Sequence, residues 1–125
     1  MSHDLLEIIL NDSVNSDIES IIIFLSHYKK GEFIYPSVLK RNLNINEKET
    51  YKILSTLEKF KLLKIYYEYF CYNCNGSSKL YKYYSELPKE CLCPNCEDNL
   101  TLENVRVIYR VMWCKTVNWV LTVLL

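Results

Sequence analysis

A chain of 125 residues, 50% hydrophobic and 24% charged, has the make-up of one globular domain or two small ones and not of a disordered segment. Its 15 basic and 15 acidic side chains cancel, but unevenly: residues 1–20 carry five acids and no Lys or Arg, residues 21–66 nine bases against four acids, and the remainder six of each. Six cysteines accompany a start, Met1 to Leu10, that holds Asp4 and Glu7 and no Lys or Arg, so a secreted disulfide framework is not expected and the cysteines point to metal inside the cell.

In chain order, residues 1–15 form an acidic extension with an apolar cluster, Leu5, Leu6, Ile8, Ile9 and Leu10, suited to a short helix. Ser16-Asp17-Ile18-Glu19 is a capping box, in which Ser and Glu satisfy each other's backbone donors. Ile18, Ile21, Ile22, Leu25 and Tyr28 follow at helical spacing up to a basic stop, Lys29-Lys30-Gly31. Glu32-Phe33-Ile34 is a short extended piece, and Pro36 opens a brief helix to Asn42. A third helix starts at Asn46 as N-cap, with Ile53, Leu54, Leu57 and Phe60 as its core stripe and Lys61 where a glycine stop is common. Leu62 to Phe70, rich in aromatic and branched residues, predicts a strand that runs straight into Cys71. Lys79 to Tyr84 and Val105 to Trp113 are the next strands expected, the last with Val105, Val107, Tyr109, Val111 and Trp113 on one face and Arg106 and Arg110 on the other. Residues 114–125 are apolar but too short to span a bilayer, which needs about 20 residues.

The fold class expected is therefore α+β: a winged helix-turn-helix over 16–70, then a small three-stranded zinc ribbon over 66–113, then the apolar tail. Cys71-Tyr72-Asn73-Cys74 and Cys93-Pro94-Asn95-Cys96 have the spacing of a structural zinc site. Four thiolates close the tetrahedron and leave no position for water, so one structural Zn2+ is expected on Cys71, Cys74, Cys93 and Cys96. Asn75-Gly76 supplies a left-handed turn after the first pair, and Pro94 pre-sets the second. Cys91 is either a substitute ligand or a small buried hydrophobe; Cys114 has no partner at ligand spacing.

Lys40, Arg41, Lys48, Lys52, Ser55 and Lys59 are the candidate DNA contacts, the lysines by attraction to phosphate. Glu47 and Glu49 at the start of the third helix, the end usually pushed toward the groove, count against DNA contact, and their other role is to complement the helix dipole. With Arg41 the one arginine of the block, binding is expected to be weak or backbone-led. The tyrosines at 66, 67, 69, 72, 81, 83 and 84 suit either base stacking or packing of a sheet, with packing the expectation. With no Ser-His-Asp arrangement, no H-E-x-x-H and only two glycines, an enzyme is not expected.

A winged helix followed at once by C-x2-C…C-x2-C resembles the alpha subunit of general transcription factor E of archaea and eukaryotes. It is also similar to small winged-helix–zinc-ribbon proteins of prokaryotic and viral genomes, some of them partners in multi-protein defence systems. The first resemblance implies contact with RNA polymerase and promoter DNA; the chain's apolar end differs from that family's longer tail. Two functions follow as expectations. One is a zinc-containing DNA-binding protein in transcription or its regulation, and the other an adaptor that docks a protein partner, or itself, through the ribbon and residues 114–125.

Overall fold

Capping and turn residues decide where the helices of this chain begin and end. The computed structural model describes residues 17–113; the acidic extension, Ser16 and the apolar tail with Cys114 lie outside the described residues. Helix α1, Ile18–Leu25, is capped by Asp17, whose carboxylate accepts the Glu19 N–H at 3.0 Å and the Ser20 hydroxyl at 2.9 Å. The cap thus sits one residue later than the Ser16 box expected from sequence. The helix also stops short of Lys29, because Ser26 Oγ and His27 Nδ1 both donate to the Ile23 carbonyl, at 2.6 and 2.8 Å, and compete with the backbone for it. Gly31, at φ +93°, then turns the chain into strand β1, Phe33–Ile34.

Helix α2, Pro36–Leu43, begins on proline and ends on Asn44, which adopts the left-handed conformation at φ 53° while the Ile45 N–H donates back to Lys40. Helix α3, Glu47–Lys59, is capped by Asn46, which accepts the Glu49 N–H at 2.8 Å as its sequence predicts. The core stripe of α3 is Thr50, Ile53, Leu54 and Leu57. Phe60, expected in that stripe, is 50% exposed: it lies just past the last helical residue, where the turn carries its side chain away. Lys61 takes the left-handed conformation, φ 61°, that glycine usually fills, and the Leu62 N–H closes on Leu57 O at 3.0 Å. α2 packs against both α1 and α3.

Strand β2 is Leu63–Phe70, β3 Ser77–Tyr81, β4 Glu90–Leu92, β5 Asn99–Thr101 and β6 Val105–Val111. The larger sheet has four strands in the order β1-β6-β2-β3, with β1 antiparallel to β6 (Ile34 opposite Tyr109) and β3 antiparallel to β2 (Glu68 opposite Leu80). β4 and β5 form a separate two-stranded hairpin with Cys91 opposite Leu100. The three strands expected of the ribbon lie side by side as β6-β2-β3, but β1 joins them and β4–β5 is an addition to the expected pattern. The second strand ends at Tyr81, a 3-10 turn over Tyr84–Glu86 follows, and the second cysteine pair sits in a hairpin of its own. β6 belongs to the four-stranded sheet; Tyr109 and Val111 are buried and Arg110 exposed as the alternation predicts, while Ile108 is buried too.

The chain divides into two compact units, one of the described residues up to Lys64 and from Tyr109 on, the other Ile65–Ile108. The first buries Ile21, Leu25, Ile34, Leu39, Ile53, Leu54, Leu57, Leu62 and Val111 almost completely. The second has a small core of Tyr69, Cys71, Cys93 and Leu100, flanked by Tyr81, Leu87, Cys91 and Val105.

Candidate metal centre

Two loops of the second unit build this site. Cys71 to Gly76 joins β2 to β3, and Cys93 to Asp98 joins β4 to β5. They share one hydrogen-bond pattern. In the first, the Cys71 N–H donates to Gly76 O and the Asn75 N–H to Cys71 O, at 2.9 and 2.7 Å; in the second, Cys93 N–H donates to Asp98 O and Glu97 N–H to Cys93 O, at 2.8 and 2.9 Å. Each loop closes through a left-handed residue after its second cysteine, Asn75 at φ 59° and Glu97 at φ 63°. Asn tolerates that conformation with little penalty, whereas Glu holds it at some cost. The left-handed turn foreseen at Asn75-Gly76 is therefore made by Asn75 alone.

The loops bring the sulfurs of Cys71, Cys74, Cys93 and Cys96 within 4.8 Å of one another. Cys71 and Cys96 are 3.6 Å apart and Cys74 and Cys93 3.4 Å, far beyond a disulfide bond of about 2.05 Å. A tetrahedron with metal–sulfur bonds of about 2.3 Å has edges near 3.8 Å, so the cluster is compatible with one metal ion. The chemistry of the donors fits as well. Backbone N–H groups of Cys96 and Asn95 hold the Cys93 thiol down to about 6, and the hydrogen bond to Cys93 pushes Cys74 up to about 12. An ion would bind these cysteines as thiolates and displace their protons. Cys71 and Cys93 are buried, while Cys74 and Cys96 face solvent.

Cys91 is outside the four-sulfur group: it is half-buried against the Tyr69–Leu100 core, where burial and then the neighbouring Cys93 push its thiol up. Two asparagines that the sequence reading passed over approach the site. Asn73 Nδ2 donates to Cys96 Sγ at 3.7 Å, and Asn95 Nδ2 lies so close to Gly76 that a Cβ there would meet it at 2.4 Å. The repeated third-position Asn of Cys-Tyr-Asn-Cys and Cys-Pro-Asn-Cys was the signal available.

The candidate DNA contacts all lie on α2 and α3 of the first unit. Lys40 and Arg41 are exposed on α2, and Lys48, Lys52, Ser55 and Lys59 are exposed on α3. At about 100° per residue, those four fall opposite the buried stripe of Thr50, Ile53, Leu54 and Leu57 and make one outward ridge. By the same spacing Glu47, Glu49 and Glu58 lie about 90–110° round the helix from the centre of that ridge. Among the tyrosines, Tyr66 and Tyr69 are buried, with the Tyr69 hydroxyl donating to Pro88 O, whereas Tyr72, Tyr83 and Tyr84 are exposed. The fold thus packs some of these rings and leaves others at the surface.

No helix among the described residues is long and apolar enough to cross a membrane. No protein-family model, curated protein or solved structure matches the chain.

Proposed function

We propose that this chain is a zinc-containing DNA-binding protein acting in transcription or its regulation, with α2, its three-residue turn and α3 as a helix-turn-helix in a winged-helix unit. The observation that carries this reading is the outward ridge of α3. Lys48, Lys52 and Lys59 with Ser55 stand opposite the core and are uninterrupted by acid, with Lys40 and Arg41 exposed on the preceding helix. Such a ridge suits phosphate contact, while a single arginine gives little bidentate base reading. The second unit is a poorer nucleic-acid surface. Residues 65–108 hold four bases and six acids, and four thiolates around a divalent ion add a formal charge of about −2. Zinc is the ion proposed for the four cysteines because a closed four-thiolate site of this spacing stabilises a small fold without chemistry of its own. No enzymatic role is assigned.

Binding to a labelled duplex, followed by fluorescence anisotropy at several salt concentrations, tests the reading. Affinity should fall steeply with salt. The Lys48→Glu/Lys52→Glu chain should bind at least about tenfold more weakly, with a log–log salt slope shallower by about 2. Equal binding by that variant contradicts the assignment.

A second reading is favoured by the exposed apolar side chains of the second unit: Tyr72, Tyr83 and Leu92 are 69%, 65% and 65% exposed. In that reading the protein is an adaptor that docks a partner through this unit and residues 114–125. A chain that leaves DNA unshifted, yet loses a co-purifying partner or a dimer when 115–125 are deleted, supports it over the first.

A further inference from the structure

The two cysteine loops repeat each other bond for bond, which places Asn73 and Asn95 at equivalent positions, third in each Cys-x2-Cys run. Each carboxamide leaves its own loop. Asn73 Nδ2 reaches Cys96, the last cysteine of the opposite loop. Asn95 Nδ2 rests on Gly76 in the opposite loop; a Cβ there would be 2.4 Å from that nitrogen and 3.3 Å from Cys74 Sγ. Gly76 therefore serves a spatial purpose, since the left-handed residue of that turn is Asn75. Cys74 and Cys96 are also the less buried of the four cysteines.

We propose that Asn73 and Asn95 are reciprocal positioning residues, each turning its side-chain amide from the middle of one loop onto the other, so that the pair clasps the two loops around the bound ion. The proposal rests on the metal reading given above. The Asn73 amide N–H directed at Cys96 Sγ draws off some of a thiolate's charge and fixes its orientation, while Asn95 acts by packing its amide against Gly76. Outer-shell partners of a metal site are worth about 10–100-fold in metal affinity. Two clasps crossing in opposite directions also resist the sliding of one loop past the other.

Zinc affinity of the full chain, measured by competition with a chromogenic chelator, tests the clasp, with cobalt absorption as an independent report of thiolate geometry. Asn73→Ala and Asn95→Ala should each loosen zinc by about tenfold. Asn73→Asp should loosen it further, because a carboxylate beside a thiolate repels it, an ordering that loss of packing would not produce. Gly76→Ala should weaken binding in the otherwise native chain and cost less once Asn95 is alanine, when only the 3.3 Å approach to Cys74 Sγ remains. Native affinity in both alanine variants, or an equal Gly76→Ala cost with and without Asn95, overturns the clasp. A native chain that takes up neither zinc nor cobalt overturns the metal reading itself, a result distinct from both.

Discussion

Replacing Cys71 by Ser, or stripping the ion with a strong chelator, is expected to unfold residues 65–108. The reason is the size and make-up of that unit's core. The buried cluster around the two loops is Tyr69, Cys71, Cys93 and Leu100, so two of its four buried members are proposed ligands themselves. The strands that carry the second pair, β4 and β5, are three residues each and contribute little apolar area beyond Cys91 and Leu100. A unit this short rarely holds together by burial alone, and structural metal supplies on the order of 10–16 kcal/mol of coupled binding and folding in small domains. Amide exchange across β3 to β5 should become fast on metal removal while α1 to α3 stay protected. Cys91→Ser, outside the cluster, should keep the metal and cost only about 1 kcal/mol. Persistent protection of β4 and β5 without metal would contradict this account.

The second large effect is expected at Glu68. Its carboxylate is buried, at 4% side-chain exposure, and Arg106 Nε donates to its Oε1 at 2.5 Å. The guanidinium also lies over the Phe70 ring, 4.0 Å from its centre, which holds it in place over an apolar surface. Removing one member of a buried pair strands a charge, at about 3–5 kcal/mol, whereas replacing both by apolar groups is often close to neutral. Arg106 is 35% exposed, so water can reach the stranded carboxylate and Arg106→Met belongs near the lower end of that range. Chemical denaturation should show the Glu68→Leu/Arg106→Met double variant well above Arg106→Met in stability. A single variant within 1 kcal/mol of the native chain would mean that the pair contributes little.

Much of this architecture was legible in residues whose local chemistry admits one answer. Pro36 could open a helix but not sit inside one, Asn46 with Glu49 three residues on could cap one, and four cysteines in two matched pairs could converge. What escaped was fixed by distant partners or by weak local signals. Glu68 sits among aromatic and branched residues where nothing marks it as buried; its burial depends on Arg106, 38 positions away. Strands β4 and β5 are short and largely polar, so their alternation carries almost no hydrophobic pattern. Phe60 fits the apolar stripe of α3 by spacing and misses it by geometry, because the helix has ended at Lys59. The end of α1 at Leu25 follows from Ser26 and His27 competing for one carbonyl, which periodicity does not register. The clasping asparagines are invisible to any reading that stops at ligand spacing, since their role lies in the loop opposite their own.

The most direct test of the central claim is the mass of the folded chain under native conditions, compared with the denatured mass and checked by elemental analysis. One zinc per 14.9 kDa chain, lost together with the fold of residues 65–108 on acidification, is the predicted result. A chain that is folded throughout, carries no metal and has all four cysteines free would contradict it.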